Sequence, residues 1–82
     1  MKLHLVFYGG LKQDVGAKTQ TLDLARDSLT VQELGELLAA RYPALGERLP
    51  TVAFVVGDEI VDPDYRLRDG DQAALLPPVS GG

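Results

Sequence analysis

The carboxylate of Gly82 is the group in this sequence best placed to react. From Gln72 to Gly82 the chain reads Gln-Ala-Ala-Leu-Leu-Pro-Pro-Val-Ser-Gly-Gly, and no side chain in that stretch ionises. In a protein with 24% charged residues, the terminal carboxylate is the one charge the stretch carries, and its residue has no side chain to screen it. Other reactive groups are scarce. Cysteine is absent, which excludes a thiol nucleophile, a disulfide framework and a thiolate zinc site. His4 is the single histidine and falls on the outward side of a strand pattern, so it reads as an exposed strand residue and no metal site is expected. Asp62, Asp64, Asp69 and Asp71 crowd one loop, but Arg66 stands where a calcium loop needs another oxygen ligand, and turn chemistry is the better reading. Gly10, Gly16 and Lys18 resemble a phosphate-binding loop only superficially. The glycine spacing is one residue too long, Ala17 separates the second glycine from the lysine, and a strand pattern comes next where a helix is needed.

The tail divides into three parts. Gln72 to Leu76 reads as a short buried strand. Pro77 and Pro78 cannot donate to a ladder and hold φ nearly fixed, so they end the strand and aim the last four residues in an extended direction. Val79, Ser80, Gly81 and Gly82 then leave the fold; four extended residues reach roughly 13 Å, enough to enter a partner's cleft. Ordering them there costs about 4 to 8 kcal/mol, to be offset by apolar contact at Val79 and hydrogen bonds to the tail backbone. The chain is thus expected to be one domain over residues 1–76 with a flexible tail over residues 77–82.

The elements that must hold this tail are set by the hydrophobic pattern. Lys2 to Tyr8 alternates, with Leu3, Leu5 and Phe7 on the core side. Gly9 to Gly16 reads as loop, and Lys18 to Leu24 as a second strand. Asp27 to Thr30 leads into the main helix, where Thr30 as N-cap and Glu33 three residues later form a capping box. Val31, Leu34, Leu37, Leu38 and Tyr42 give that helix an apolar stripe, and Pro43 stops it near Tyr42. Ala44 to Pro50 reads as loop, Thr51 to Val56 as a strand, and Gly57-Asp58 as a hairpin turn into Glu59 to Val61. One helix covering one face of a mixed sheet of four to five strands is an α+β arrangement. Setting the last strand beside the first makes both central and suits the apolar run Ala73 to Leu76.

With 82 residues and 45% hydrophobic composition, the chain supports one small core without staples. A net charge of −4 argues against nucleic acid as a partner and favours a protein with a basic surface. No apolar run is long enough to cross a bilayer and the first residues lack a cleavable leader pattern, so a cytoplasmic location is expected.

Leu67-Arg68-Asp69-Gly70-Asp71 followed by Leu76-Pro77-Pro78-Val79-Ser80-Gly81-Gly82 resembles the ending of the molybdopterin synthase small subunits, and Phe7-Tyr8-Gly9-Gly10-Leu11-Lys12 with Gly16 resembles their first strand and loop. These are ubiquitin-like β-grasp sulfur carriers, and the resemblance covers the whole chain. It implies that a ubiquitin-activating-like adenylyltransferase uses ATP to adenylate Gly82, that sulfur from a partner's persulfide converts it to a thiocarboxylate, and that the large synthase subunit receives it. There the thiocarboxylate sulfurates a pyranopterin precursor. Pro78, Val79, Ser80 and Gly81 are then the residues that thread the partner. Phe7, Lys12 and Leu76 are candidates for the partner interface, with Lys12-Gln13 standing where many members have Arg-Glu. Catalytic groups belong to the partners, and this chain is expected to bind no cofactor itself. The same fold and ending also resemble sulfur carriers of thiamine synthesis or tRNA thiolation, some of which modify proteins. A β-grasp interaction module whose tail is never activated is the alternative of another class.

Overall fold

Leu3, Leu5 and Phe7 lie on one side of the first strand and are fully or almost fully buried, and the other elements are laid against that side. The computed structural model describes residues 1–78. Its strands are β1 (Lys2–Phe7), β2 (Thr19–Asp23), β3 (Ser28–Thr30), β4 (Ala53–Val56), β5 (Glu59–Ile60), β6 (Arg66–Arg68) and β7 (Gln72–Leu76), and its helices are α1 (Leu11–Val15), α2 (Val31–Arg41) and α3 (Pro43–Arg48). Five strands form one sheet in the order β2-β1-β7-β4-β5. β1 and β7 are parallel, with Leu5 opposite Ala73 and Phe7 opposite Leu75, while the other pairs are antiparallel. The last strand is therefore the middle of the sheet. α2 crosses the inner face, burying Val31, Leu34 and Leu38 against Leu5, Phe7, Phe54 and Leu75 in one core. This is the β-grasp arrangement of the α+β class.

The start of α2 is held by a complete set of acceptors. Thr30 Oγ1 accepts from the Glu33 amide at 3.1 Å and Glu33 Oε1 accepts from the Thr30 amide at 3.0 Å, the reciprocal pair of a capping box. The amides of Val31 and Gln32, which have no partner inside the helix, donate to the carbonyls of Tyr65 and Pro63, each at 2.9 Å. The loop from Asp62 to Tyr65 is thereby tied to the helix. The amide hydrogen bond at Thr30, followed by Arg26 at 3.0 Å, holds the Glu33 carboxyl below its usual range.

Several segments depart from the expected layout. The segment Gly9 to Gly16, read as loop, contains the single-turn helix α1, which drops Leu11 completely into the core; five residues are too few to display a helical period. Ala44 to Pro50, also read as loop, holds α3 and a 3-10 turn over Leu49–Thr51. Pro43 ends α2 but sits at the first position of α3, where its missing N–H has no role, and Leu45 is buried from there. Ser28–Thr30 and Arg66–Arg68, read as helix lead-in and turn, pair as a separate two-stranded sheet with Leu29 opposite Leu67. Strands of three residues carry one core side chain each and show no alternation. The strand expected from Thr51 begins at Ala53, because the 3-10 turn occupies its first residues.

The turns behave as their residues require. Gly57 and Asp58 both have positive φ, 58° and 70°, the pair of left-handed conformations that a two-residue hairpin between β4 and β5 demands. Asp69 Oδ1 accepts from the Lys2 amide at 2.7 Å and ties the last turn to the first strand, while Asp71 Oδ2 accepts from the Arg68 amide at 2.8 Å and closes the turn itself.

The cap and the glycine of α2 are each open to measurement. Thr30→Ala should destabilise the fold by about 1 kcal/mol in chemical denaturation. Because the folded state lowers the Glu33 pKa, the box contributes fully above the ordinary carboxylate value and is lost as pH falls through the lowered folded value. A Glu33→Gln variant should therefore lose less stability than wild type over that acid range. Gly35 lies inside α2, and a Cβ built there meets nothing within 4 Å. Gly35→Ala should raise stability by roughly 0.5 to 1 kcal/mol, seen as a higher denaturation midpoint with unchanged slope.

Candidate functional site: the exit of the C-terminal tail

The site begins where β7 runs out of partners. Leu76 is its last paired residue, opposite Ala53 of β4, and on the other side the Tyr8 amide donates to the Leu75 carbonyl at 3.1 Å. Pro77 then has no N–H to continue the ladder. It leans on Gly9, where φ is +57° and a Cβ would lie 2.9 Å from Pro77 Cγ. Gly9 is needed twice over, for its left-handed backbone and for the space it leaves to the proline. Pro78 comes next and is exposed. The expected threading residues Val79, Ser80 and Gly81, and the reactive Gly82, lie outside the described residues.

Around this exit the two faces of the sheet differ. On the inner face Phe7 is 0% exposed and packed in the core. Its expected place in a partner interface is therefore corrected: a side chain with no accessible surface cannot touch another protein while the fold stands. The period-two alternation that buries Phe7 turns Tyr8 outward, and Tyr8 is the residue that sequence reasoning missed. With Leu76, Ala74 and Val55 it lines a shallow depression of about 410 Å³ on the outer face of the sheet, closed at one end by Gln72 and Asp58. Tyr8 is 41% exposed, and the Lys18 ammonium stands 5.8 Å from its ring centre. Leu76 is half-buried and faces this depression, so it stays in the site. The signal for Tyr8 was available, since an aromatic residue on the solvent side of a central strand serves no core.

Lys12 is exposed on α1, which starts two residues after Gly9, the glycine that abuts Pro77. α1 is pinned to the rest of the fold by Asp14, whose carboxylate lies 2.7 Å from Arg48 Nε of α3. The N–H is poorly aligned on that oxygen, so the contact is an ion pair without a well-formed hydrogen bond. His4, as expected, is exposed, with Nδ1 3.4 Å from Thr21 Oγ1.

A partly exposed apolar patch beside the end of β7 can seat a partner. No pair of described residues around the exit forms a nucleophile and base. Residues 6–82 match the ThiS family. The molybdopterin synthase sulfur carrier subunit of Chlamydomonas reinhardtii is 32% identical over 84 aligned positions, which span all of both chains. Among solved structures, SAMP1 from Haloferax volcanii superposes with a TM-score of 0.83 at 26% identity, covering all of both chains. A chain of the protein–protein complex of subunits 1 and 2 of the molybdopterin-converting factor from Helicobacter pylori gives 0.70 at 28% identity, again over all of both chains.

The two faces make opposite predictions for neighbouring residues. Phe7→Ala should cost about 3 to 5 kcal/mol of stability, enough to unfold much of a small domain, whereas Tyr8→Ala should change stability by no more than about 0.5 kcal/mol in the same denaturation assay. Gly9→Ala should destabilise by more than about 1 kcal/mol, because it both strains φ and collides with Pro77.

Proposed function

Since this chain belongs to the ThiS family, we propose that it is a sulfur carrier of molybdopterin synthesis and that the Gly82 carboxylate is the group loaded and unloaded. The observation that carries the reading is the full-length likeness to a molybdopterin synthase sulfur carrier subunit in a chain whose last strand delivers its tail from the middle of the sheet. We place the carrier in the cytoplasm, in keeping with the absence, among the described residues, of any helix long and apolar enough to cross a membrane.

Loading is governed by the chemistry of a carboxylate, which is a poor electrophile. In a ubiquitin-activating-like adenylyltransferase, a Gly82 oxygen attacks the α-phosphorus of ATP and pyrophosphate leaves, giving an acyl adenylate. The terminal sulfur of a partner's persulfide then attacks the carbonyl carbon and AMP leaves. A second thiolate then attacks the partner's own sulfur in the resulting acyl disulfide, forming a new disulfide with it and releasing the thiocarboxylate. That sulfur is the nucleophile carried into the large synthase subunit, where it attacks the pyranopterin precursor on the way to the dithiolene. ATP is the partner's substrate; this chain supplies the acyl group, the reach and the docking face.

The fold contributes in two ways. Pro77 against Gly9 fixes where the tail leaves, and Pro78 keeps its first residue extended. The patch of Tyr8, Val55, Ala74 and Leu76 seats the large subunit and the adenylyltransferase in turn, with Lys12, exposed on α1, as a further contact. Pro78, Val79, Ser80 and Gly81 form the part that enters the partner, narrow at the end because the last two residues have no side chain.

Deleting Gly82, or changing Gly81→Ile, should leave thermal unfolding unchanged while partner-dependent adenylation and sulfur transfer fall by about 100-fold or more, since a misplacement of ~1 Å at a reacting atom is enough for such a loss. Normal loading of these variants would refute the reading. Leu76→Ala and Tyr8→Ala should weaken binding to the large subunit by about 1 to 3 kcal/mol each in calorimetric titration. Protein isolated from its own host should contain a species heavier by the oxygen-to-sulfur difference, detected by intact-mass spectrometry.

A further inference from the structure

We propose that the groove between α2 and the β4–β5 hairpin is a second docking surface, whose occupant is an extended segment of another protein with alternating apolar and basic side chains. The groove has a volume of about 530 Å³ and includes Gly35, Ala39, Pro50, Val52 and Val61 in its lining, with Glu36 as the one charged residue there. It shares no lining residue with the depression beside the tail. Its occupancy therefore does not depend on the sulfur-carrier reading.

Gly35 is the first sign that something occupies it. A glycine within a helix lowers stability relative to alanine, and its use is normally explained by a close neighbour. Here a Cβ would meet nothing within 4 Å inside the chain. The missing side chain instead opens the groove wall and lets an outside group approach the helix backbone.

The hairpin supplies the shape of the occupant. β5 ends the strand order, so the outer backbone groups of Glu59 and Ile60 face no further strand among the described residues. Ile60, 75% exposed, stands at the rim of the groove on this edge. An added extended segment can pair with such an edge while every second side chain turns into the groove.

Charge decides which side chains alternate with the apolar ones. Glu36 lies in the wall, and the exposed Glu59, Asp62 and Asp64 flank the lining residues Ile60, Val61 and Pro63. The cation nearest in sequence to the lining, Arg48 beside Leu49, is engaged by Asp14. One carboxylate thus lies in the wall and three exposed ones lie next in sequence to residues of the apolar lining, a charge balance complementary to lysine or arginine on the outward-facing positions of the segment.

The test is an amide chemical-shift titration of the isotope-labelled full chain with three short synthetic peptides, alternating leucine with lysine, leucine with glutamate, and serine with lysine. The leucine–lysine peptide should shift the amides of Gly35, Glu36, Val52 and Val61 and leave Tyr8, Ala74 and Leu76 unmoved, and the other two should bind at least about tenfold more weakly. Gly35→Leu, which fills the groove, and Glu36→Lys, which reverses its charge at an exposed position, should each weaken the leucine–lysine peptide by at least about tenfold. Glu36→Lys carries the test even if Gly35→Leu does not fold. The proposal is overturned by shifts centred on the tail-exit face, by equal binding of the serine–lysine or leucine–glutamate peptide, or by no shift at millimolar peptide. Groove shifts that grow with protein concentration alone would assign the surface to a second copy of the chain and likewise overturn it. No activated tail is needed, so failure here leaves the sulfur-carrier reading standing.

Discussion

The parallel pairing of the first and last strands is the constraint on which the structure depends. Parallel neighbours cannot be joined by a short turn, so nearly the whole chain must travel between Phe7 and Gln72 before the pair closes. That excursion contains the helix, and the closed pair traps it against the inner face. The same pairing makes β7 the middle strand and leaves its end as the natural departure point for the tail. Core, topology and site are therefore consequences of one contact. Its side chains reflect this: Leu5, Phe7, Ala73 and Leu75 are all buried, and all lie on the side that meets α2.

Long regular patterns in the sequence were sufficient to recover the frame. Lys2 to Tyr8, the capped helix from Val31, the Gly57-Asp58 turn and the strand Gln72 to Leu76 each carry several residues that agree on one period or one turn type. The elements that escaped bury a single side chain each. Leu11, Leu29, Leu45 and Leu67 are each the core contribution of a segment three to six residues long, and one buried leucine per segment has no period to display. Pro43 misled in a different way, because the residue that forbids continuation of one helix is well suited to begin another.

The site was legible in its chemistry and less so in its surroundings. The ending after two prolines, with no ionisable side chain, is read as a tail from the sequence alone, and Leu76 could be placed at the end of the last strand by counting. Choosing between Phe7 and Tyr8 needed only the alternation along β1. The alternation already assigned Phe7 to the core side, and a docking role for it conflicted with that assignment. The groove beside α2 could not be read from the sequence at all, since its lining comes from the helix, the 3-10 turn and the hairpin, and only the fold brings those together.

The direction of β7 also has a mechanical meaning. β1 starts next to Met1, and β7, running the same way beside it, ends at Leu76. Tension applied to the tail while the body is held from its N-terminal end pulls the two strands along their length in opposite senses. The hydrogen bonds between them are then loaded together in shear instead of opening one after another like a zip. A pull delivered at Leu76 therefore meets the combined resistance of that ladder, with β7 seated between its two neighbours β1 and β4.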